Sequence, residues 1–350
     1  MGVRERLARR AVRGPHALVV ETPGWAESRL AVERVLTARS WKAALSPADA
    51  DVLLVCGVPG ADLGAVVERA WAQLPGPRSR ADVVAPGDAA AALDEATAAL
   101  LDEARQRADA QSRNDPVDAD SIPLAEGGAD RDGLGLDVLH VPLGPVLPHW
   151  PAGLVLRCVL QGDVIAQAEA EVYGAAAHST PPDPPERESR RNTAVRRCDS
   201  AGRLLAVAGW DDAAAAARHT RDVLAAGGHL PDSAPALDRL ANRVRRSRSL
   251  RWLLRDLGAL PVDPTTPDTA TSGDIVDRLR GWIDEARAMV HADAGAAPDR
   301  AAERRDRTAA LIAGLPALVT GLDLAAARLV VASLDLDTAT LSAGLEHTRG

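Results

Sequence analysis

Residues 50–78 read ADVLLVCGVPGADLGAVVERAWAQLPGPR, and this stretch decides the fold. Val52 to Cys56 is an unbroken apolar run that ends in Gly57-Val58-Pro59-Gly60, the pattern of a fully buried strand followed by a turn. Leu63, Val66, Val67, Ala70, Trp71 and Leu74 then recur at helical spacing and lay one apolar stripe along a helix. A strand buried on both faces needs helices on both sides, which is the setting of a parallel sheet.

The flanks repeat this unit. ALVVETPG (17–24) is another apolar run ending in Pro-Gly, and AESRLAVERVL (26–36) follows as a helix. ADVVAPGD (81–88) supplies a third strand, and residues 89–108 a third helix. Alternation of this kind predicts an α/β N-terminal domain over 14–110, built on a doubly wound parallel sheet, with 1–13 as a basic arm. Residues 111–135 are acidic and rich in Gly and Pro, so they read as a linker. A small β segment spans 136–177, where LDVLHVPLGP and GLVLRCVLQGDVIAQAEAEVYG read as strands and Gln161-Gly162-Asp163 as a hairpin turn. A second linker covers 178–200, with HSTPPDPPERESRRN at its start, and 201–350 form an α-helical C-terminal domain. Its helices are expected at 211–226, 234–257, 273–291, 299–314 and 316–335.

Composition narrows the function. Of 350 residues 46% are hydrophobic, enough for a sizeable core, yet only 2% are aromatic, with seven Trp, one Tyr and no Phe. Stacking platforms for single-stranded nucleic acid need more rings than that. A net charge of −8 also argues against nucleic-acid partners. All basic residues except Lys42 are arginines, a bias that makes arginine counts uninformative. Cys56, Cys158 and Cys198 form no CxxC and no metal-ligand spacing, which suits a reducing, cytoplasmic compartment. The basic N-terminus lacks the apolar stretch of a secretory signal. The most apolar window, 310–334, is interrupted by Pro316, Asp323 and Arg328 and reads as a buried helix pair rather than a membrane span.

Four stretches, in chain order, carry a resemblance. Residues 50–78 are similar to the strand–turn–helix of the small, cluster-carrying subunit shared by NADH:quinone oxidoreductases and nickel–iron hydrogenases. Ala50, Asp51, Val55, Gly57, Gln73, Pro75 or Pro77, and Arg78 match it. LGPVLPHWPAGLVLRCVLQGDVI (143–165) resembles the start of the partner large subunit through Gly144, Pro145, Val146, Arg157, Gly162, Asp163 and Ile165. ALDRLANRVRRSRSLRWLLRDLGA (236–259) and SGDIVDRLRGWIDEAR (272–287) look like two later helices of that subunit. The chain therefore resembles a fusion of shortened small and large subunits.

The departures from that family bear on chemistry. Its small subunit holds a 4Fe–4S cluster on four thiolates. Here ETPGWAES and VVAPGDAA stand where the family carries cysteines, and Cys56 lies inside a strand. No iron–sulfur or nickel–iron ligands are expected, and quinone is the ligand the resemblance leaves open. Leu147 aligns with the family's quinone-site histidine, but His149 lies two residues on, so Gly144, Pro145 and His149 are the quinone-loop candidates. No dinucleotide fingerprint fits Gly57-Val58-Pro59-Gly60, since it is short and Pro59 lacks an N–H. Arg239, Arg243, Arg245, Arg246, Arg248, Arg251 and Arg255 crowd one expected helix, and Arg243 and Arg246 are its partner-binding candidates. The resemblance implies an accessory, structural subunit in a membrane-associated oxidoreductase complex, cytoplasmic or peripheral on the inner membrane face. The alternative is an active NADH:quinone oxidoreductase subunit that contributes to quinone binding and electron transfer using its partners' cofactors.

Overall fold

A computed structural model of the chain describes residues 14–113, 126–129, 135–177, 179, 189–260, 272–291 and 301–341. The basic arm 1–13, most of the stretch 111–135 and residues 180–188 lie outside the described residues.

Strands β1 (His16–Glu21), β2 (Lys42–Ala43), β3 (Val52–Cys56) and β4 (Ser79–Val83) form a parallel sheet in the order β2-β1-β3-β4. Successive side chains point to opposite faces, and both faces are covered. Leu18, Val20, Leu53 and Val55 meet Leu63, Val67 and Leu74 of helix α2 (Ala61–Gln73) and the residue after it. Ala17, Val52, Leu54, Cys56 and Val83 meet α1 (Ala26–Ala38) and α3 (Ala89–Leu101) through Val32, Leu36, Leu93 and Ala96. The α/β domain with a doubly wound parallel sheet is therefore as the sequence predicts. The helix expected over 89–108 is two helices, α3 and α4 (Glu103–Ser112). Asp102 starts the second one, its carboxylate accepting from the backbone N–H groups of Ala104 and Arg105 at 3.0 and 3.1 Å.

The second sheet is antiparallel: β5 (Glu126–Ala129), β6 (Gly135–Leu143), β7 (Leu154–Gln161) and β8 (Val164–Val172), in that order. β5 falls inside the stretch expected to be linker. Leu154, Leu156, Cys158, Leu160 and Ile165 give this sheet one apolar face. Helices α10 (Ala301–Val319) and α11 (Leu324–Ala332) cover it with Leu315, Val319, Ala327 and Val331. The apolar window at 310–334 is thus a helix pair against a sheet. Pro316 does not end α10, which runs on to Val319; a proline in the last turn removes one hydrogen bond that the end of the helix tolerates. Among the described residues no helix is long and apolar enough to cross a membrane.

The helical half is built from α5 (Arg190–Val207), α6 (Asp211–Ala225), α7 (Ala234–Arg246), α8 (Arg248–Leu254) and α9 (Ile275–His291) around the fully buried Trp282. Leu237, Leu240, Ala241 and Val244 are the buried stripe of α7. The expected single helix over 234–257 breaks at Ser247, whose hydroxyl accepts from Leu250 N at 3.2 Å and caps α8. The larger correction concerns the second linker. Residues 190–200 are helix, not linker: α5 begins at Arg190 and buries Ala194, Cys198, Ala201, Leu204 and Leu205. Within it Arg197 is buried against Glu285 and Asp335, and Asp199 against Arg29 and Arg221.

From composition, limited proteolysis should cut first in the acidic NDPVDADSIP (114–123) or in PPDPPERES (181–189), which carry few apolar side chains to bury. The nicked fragments should still co-elute on gel filtration, because Asp199 and Arg203 of α5 pair with Arg29 and Glu21 of the first domain. A first cut within 50–75 would overturn this division of the chain.

Candidate functional site

In an open α/β sheet, ligands bind beyond the carboxyl ends of the strands, where the strand order reverses. Here that point lies between β1 and β3. Thr22 N donates to Cys56 O at 2.9 Å, and Gly57 N donates to Val83 O at 2.9 Å. The chain then folds back, Trp25 N donating to Thr22 O at 3.0 Å, and the Trp25 ring fills the crevice with 0% exposure. A Cβ on Gly57, which has φ +100°, would stand 2.5 Å from that ring, so only glycine fits beneath it. Trp25 Nε1 and Thr22 Oγ1 are buried there without a hydrogen-bond partner among the described residues.

The amino end of α2, a natural anion site, is covered as well. Gly60 N donates to Gly174 O at 3.1 Å, and Ala176 N donates to Val58 O at 3.0 Å. A Cβ on Gly60 would meet Ala175 O at 2.8 Å. Backbone carbonyls of the segment after β8 thus sit where a phosphate would bind.

The loop between β6 and β7 holds the quinone-loop candidates and closes the junction from the other side. Gly144, at φ +82°, leaves room for the Trp150 ring, whose Nε1 donates to Leu154 O at 2.7 Å. Pro145 is buried and Val146 packs into the core between the first sheet and α2. Gly153 lets the loop approach Pro23, which a Cβ would touch at 2.8 Å. His149 sits between these glycines in the left-handed region, at φ 61°, uncommon for a residue other than glycine or asparagine. The structure therefore brings Gly144, Pro145 and His149 into one loop at the junction, two of them as packing positions.

The weld between the first sheet and the helical half is ionic and buried. Arg29, 7% exposed on α1, donates to Glu21 at 2.6 Å, to Glu33 at 2.6 Å and to Asp199 of α5 at 2.6 Å. Arg221 of α6 reaches the same two carboxylates, Glu33 at 2.6 Å and Asp199 at 2.7 Å. Arg203 donates to Glu21 at 3.2 Å and to Trp150 O at 3.0 Å, tying the His149 loop to the same cluster. Burial alone would raise the Glu33 carboxyl, but Arg29 and Arg221 outweigh it and bring it down to about 2. Asp199 is likewise held well below its usual range, burial being overcome by Arg29, Arg203 and Arg221. Burial, with Arg203 beside it, lowers His149 to about 4, and no hydrogen bond from the described residues reaches its ring. It is a neutral imidazole at pH 7.

The cysteines are buried and free, and burial raises each thiol, Cys198 to about 12. Among the described residues no group of three or more His, Cys, Asp or Glu side chains is arranged to hold a metal ion. Of the partner-binding candidates, Arg243 pairs with Asp212 at 3.4 Å and lies over Trp210, 5.4 Å from the ring centre, while Arg246 is exposed. Sequence reading passed over Trp25, Arg29, Glu33, Asp199, Arg203 and Arg221. Arg29 and Glu33 stand four apart, but that spacing is equally that of an ordinary surface pair. Compared with protein-family models, curated proteins and solved structures, the chain has no significant match.

Replacing Arg29 by Met strands buried carboxylates and should cost about 3–5 kcal/mol in urea unfolding. A loss under about 1 kcal/mol, the range of surface pairs, would mean that the cluster is solvated.

His149 sets a pH window. Its folded value of about 4 lies below the ordinary 6.5, so the unfolded chain takes up the proton first as pH falls. Its contribution is complete above pH 6.5 and is lost progressively towards pH 4, by about 3 kcal/mol at most. His149→Asn, which tolerates the left-handed backbone, should remove that dependence from unfolding midpoints across this window. An unchanged slope would place the titration elsewhere.

Proposed function

We propose that this chain is an accessory, structural subunit of an oxidoreductase complex of the NADH:quinone oxidoreductase or membrane-hydrogenase type, cytoplasmic or peripheral on the inner membrane face. It holds the interface between small-subunit-like and large-subunit-like units in one polypeptide and supplies no iron–sulfur or nickel–iron ligands. One observation carries the reading. Trp25 fills, at 0% exposure, the crevice at the carboxyl end of the sheet where such folds place their ligands. The family resemblance puts cluster thiolates in this turn; here a tryptophan, packed on Gly57, takes the volume. Scaffold motifs retained around an occupied crevice favour docking over redox chemistry.

A second reading has its own observation. His149 carries a neutral imidazole on a left-handed backbone at the junction, and residues held in such conformations cluster at functional sites. An active subunit would use this ring to bind quinone while partners supply the cofactors.

The experiment separates the two. Anaerobic reconstitution should yield no stoichiometric iron and no cluster absorbance, since the thiolate set is lacking. Charge reversal at Arg243 and Arg246 should weaken co-purification with neighbouring subunits. His149→Ala should leave quinone reduction by the membranes within a few-fold. Its abolition in a complex that stays assembled would transfer the assignment to the active-subunit reading.

A further inference from the structure

The surface of α8 differs from the rest of the molecule. Trp252 is 83% exposed and the adjacent Leu253 is 50% exposed. Leu250 and Leu254, four residues apart, are the buried side of this helix, so Trp252 between them points away from the core. A tryptophan is the apolar side chain most costly to leave in water, and every other tryptophan of the helical half is packed: Trp282 fully, and Trp210 against the helical core and under Arg243.

The collar of this apolar tip is basic. From Arg239 to Arg255 the chain carries seven arginines and no acidic residue, within a protein whose net charge is −8. Arg248 stands one turn before Trp252, and Arg255 just past the helix end. Arg255 pairs with the exposed Asp256 at 3.1 Å. Arg251 donates to the Arg245 carbonyl at 3.2 Å, and Arg245 to the Asn242 amide oxygen at 2.9 Å, both neutral acceptors. Among the described residues no carboxylate pairs with Arg245, Arg246, Arg248 or Arg251. These four arginines leave the stretch locally basic, against the sign of the whole.

We infer that α8 is a lipid-surface anchor: Trp252 and Leu253 insert at the headgroup boundary of an anionic bilayer while Arg245, Arg248 and Arg251 lie against its phosphates. Protrusion and charge together decide the occupant. A protruding tryptophan and leucine inside a basic collar suit a fluid anionic surface that closes round them, as interfacial helices do. Tryptophan is favoured at that depth because its ring is apolar and its N–H polar. Each arginine near an anionic surface adds roughly a factor of five in partition, since it is worth about 1 kcal/mol. The inference deepens the peripheral placement proposed above, but it is tested on the isolated chain, so its failure leaves the assembly reading standing.

The test is co-sedimentation of the full chain with phosphatidylcholine vesicles, with and without phosphatidylglycerol. Binding should require phosphatidylglycerol and weaken with salt. Trp252→Ser with Leu253→Ser, and separately Arg248→Ser with Arg251→Ser, should each keep the helical circular dichroism of the parent. The arginine pair should weaken partition about thirty-fold. Bromine-labelled acyl chains should quench fluorescence in the parent and not in the Trp252→Ser variant. Equal sedimentation with neutral and anionic vesicles, or unchanged binding by both variants, would overturn the anchor. So would a self-association that Trp252→Ser abolishes, which would make a second copy the occupant. Binding to poly-glutamate that both variants weaken, with no vesicle binding, would assign the surface to an acidic protein instead.

Discussion

Everything at the centre of this molecule depends on Arg29. One guanidinium, almost wholly removed from water, meets carboxylates from β1, from its own helix and from α5. Arg221 and Arg203 extend it, so that cations and carboxylates alternate around the junction. Such a cluster is expensive to desolvate, and its members return that cost only when all are in place. The consequence is selective rather than merely adhesive. A helical half docked one turn out of register would break the three pairs that cross the junction, Arg29–Asp199, Arg221–Glu33 and Arg203–Glu21, and leave Arg29–Glu21, Arg29–Glu33 and Arg221–Asp199 within their own halves. The ionic cluster therefore sets how the helical half meets the sheet.

That fixed docking explains the covered crevice. With α5 held against Arg29, Arg203 reaches both Glu21 and the carbonyl of Trp150, and the loop carrying His149 is drawn across the end of the sheet. Trp25 beneath it and the carbonyls of Gly174 and Ala175 beside it complete the closure. Three glycines make this geometry accessible: Gly57 under Trp25, Gly144 under Trp150 and Gly153 against Pro23. The same layout that would present a ligand in an open sheet here presents protein to protein.

Two outward surfaces follow from the break at Ser247. α7 carries its arginines along one exposed side, with Arg243 steadied by Asp212 and Trp210. α8 turns away and exposes Trp252 and Leu253 instead. A continuous helix through 234–257 would have run both on one straight cylinder; the cap at Ser247 lets α8 turn its apolar tip outward beside the last arginines of α7.

The sequence by itself determined three of the four strands of the first sheet and the helices between them, because unbroken apolar runs and helical spacing are local signals that burial on two faces only reinforces; the two-residue, exposed β2 (Lys42–Ala43) carries no such signal. Val52–Cys56 and the stripe from Leu63 to Leu74 were legible for that reason, as was the hairpin at Gly162. The glycine–proline loop was legible as a position, though not as a packing device. Only the tertiary structure decided the fate of the charges. RRNTAVRRCDS reads as solvated linker because a lone sequence cannot tell a charge in water from one buried against a partner far along the chain. Arg29 and Asp199 lie 170 residues apart, and no periodicity spans that distance. Trp25 is the same case in apolar form: beside Pro23 and Gly24 it looks like a turn residue, and only the return of the chain beneath the β6–β7 loop makes it the plug of the crevice.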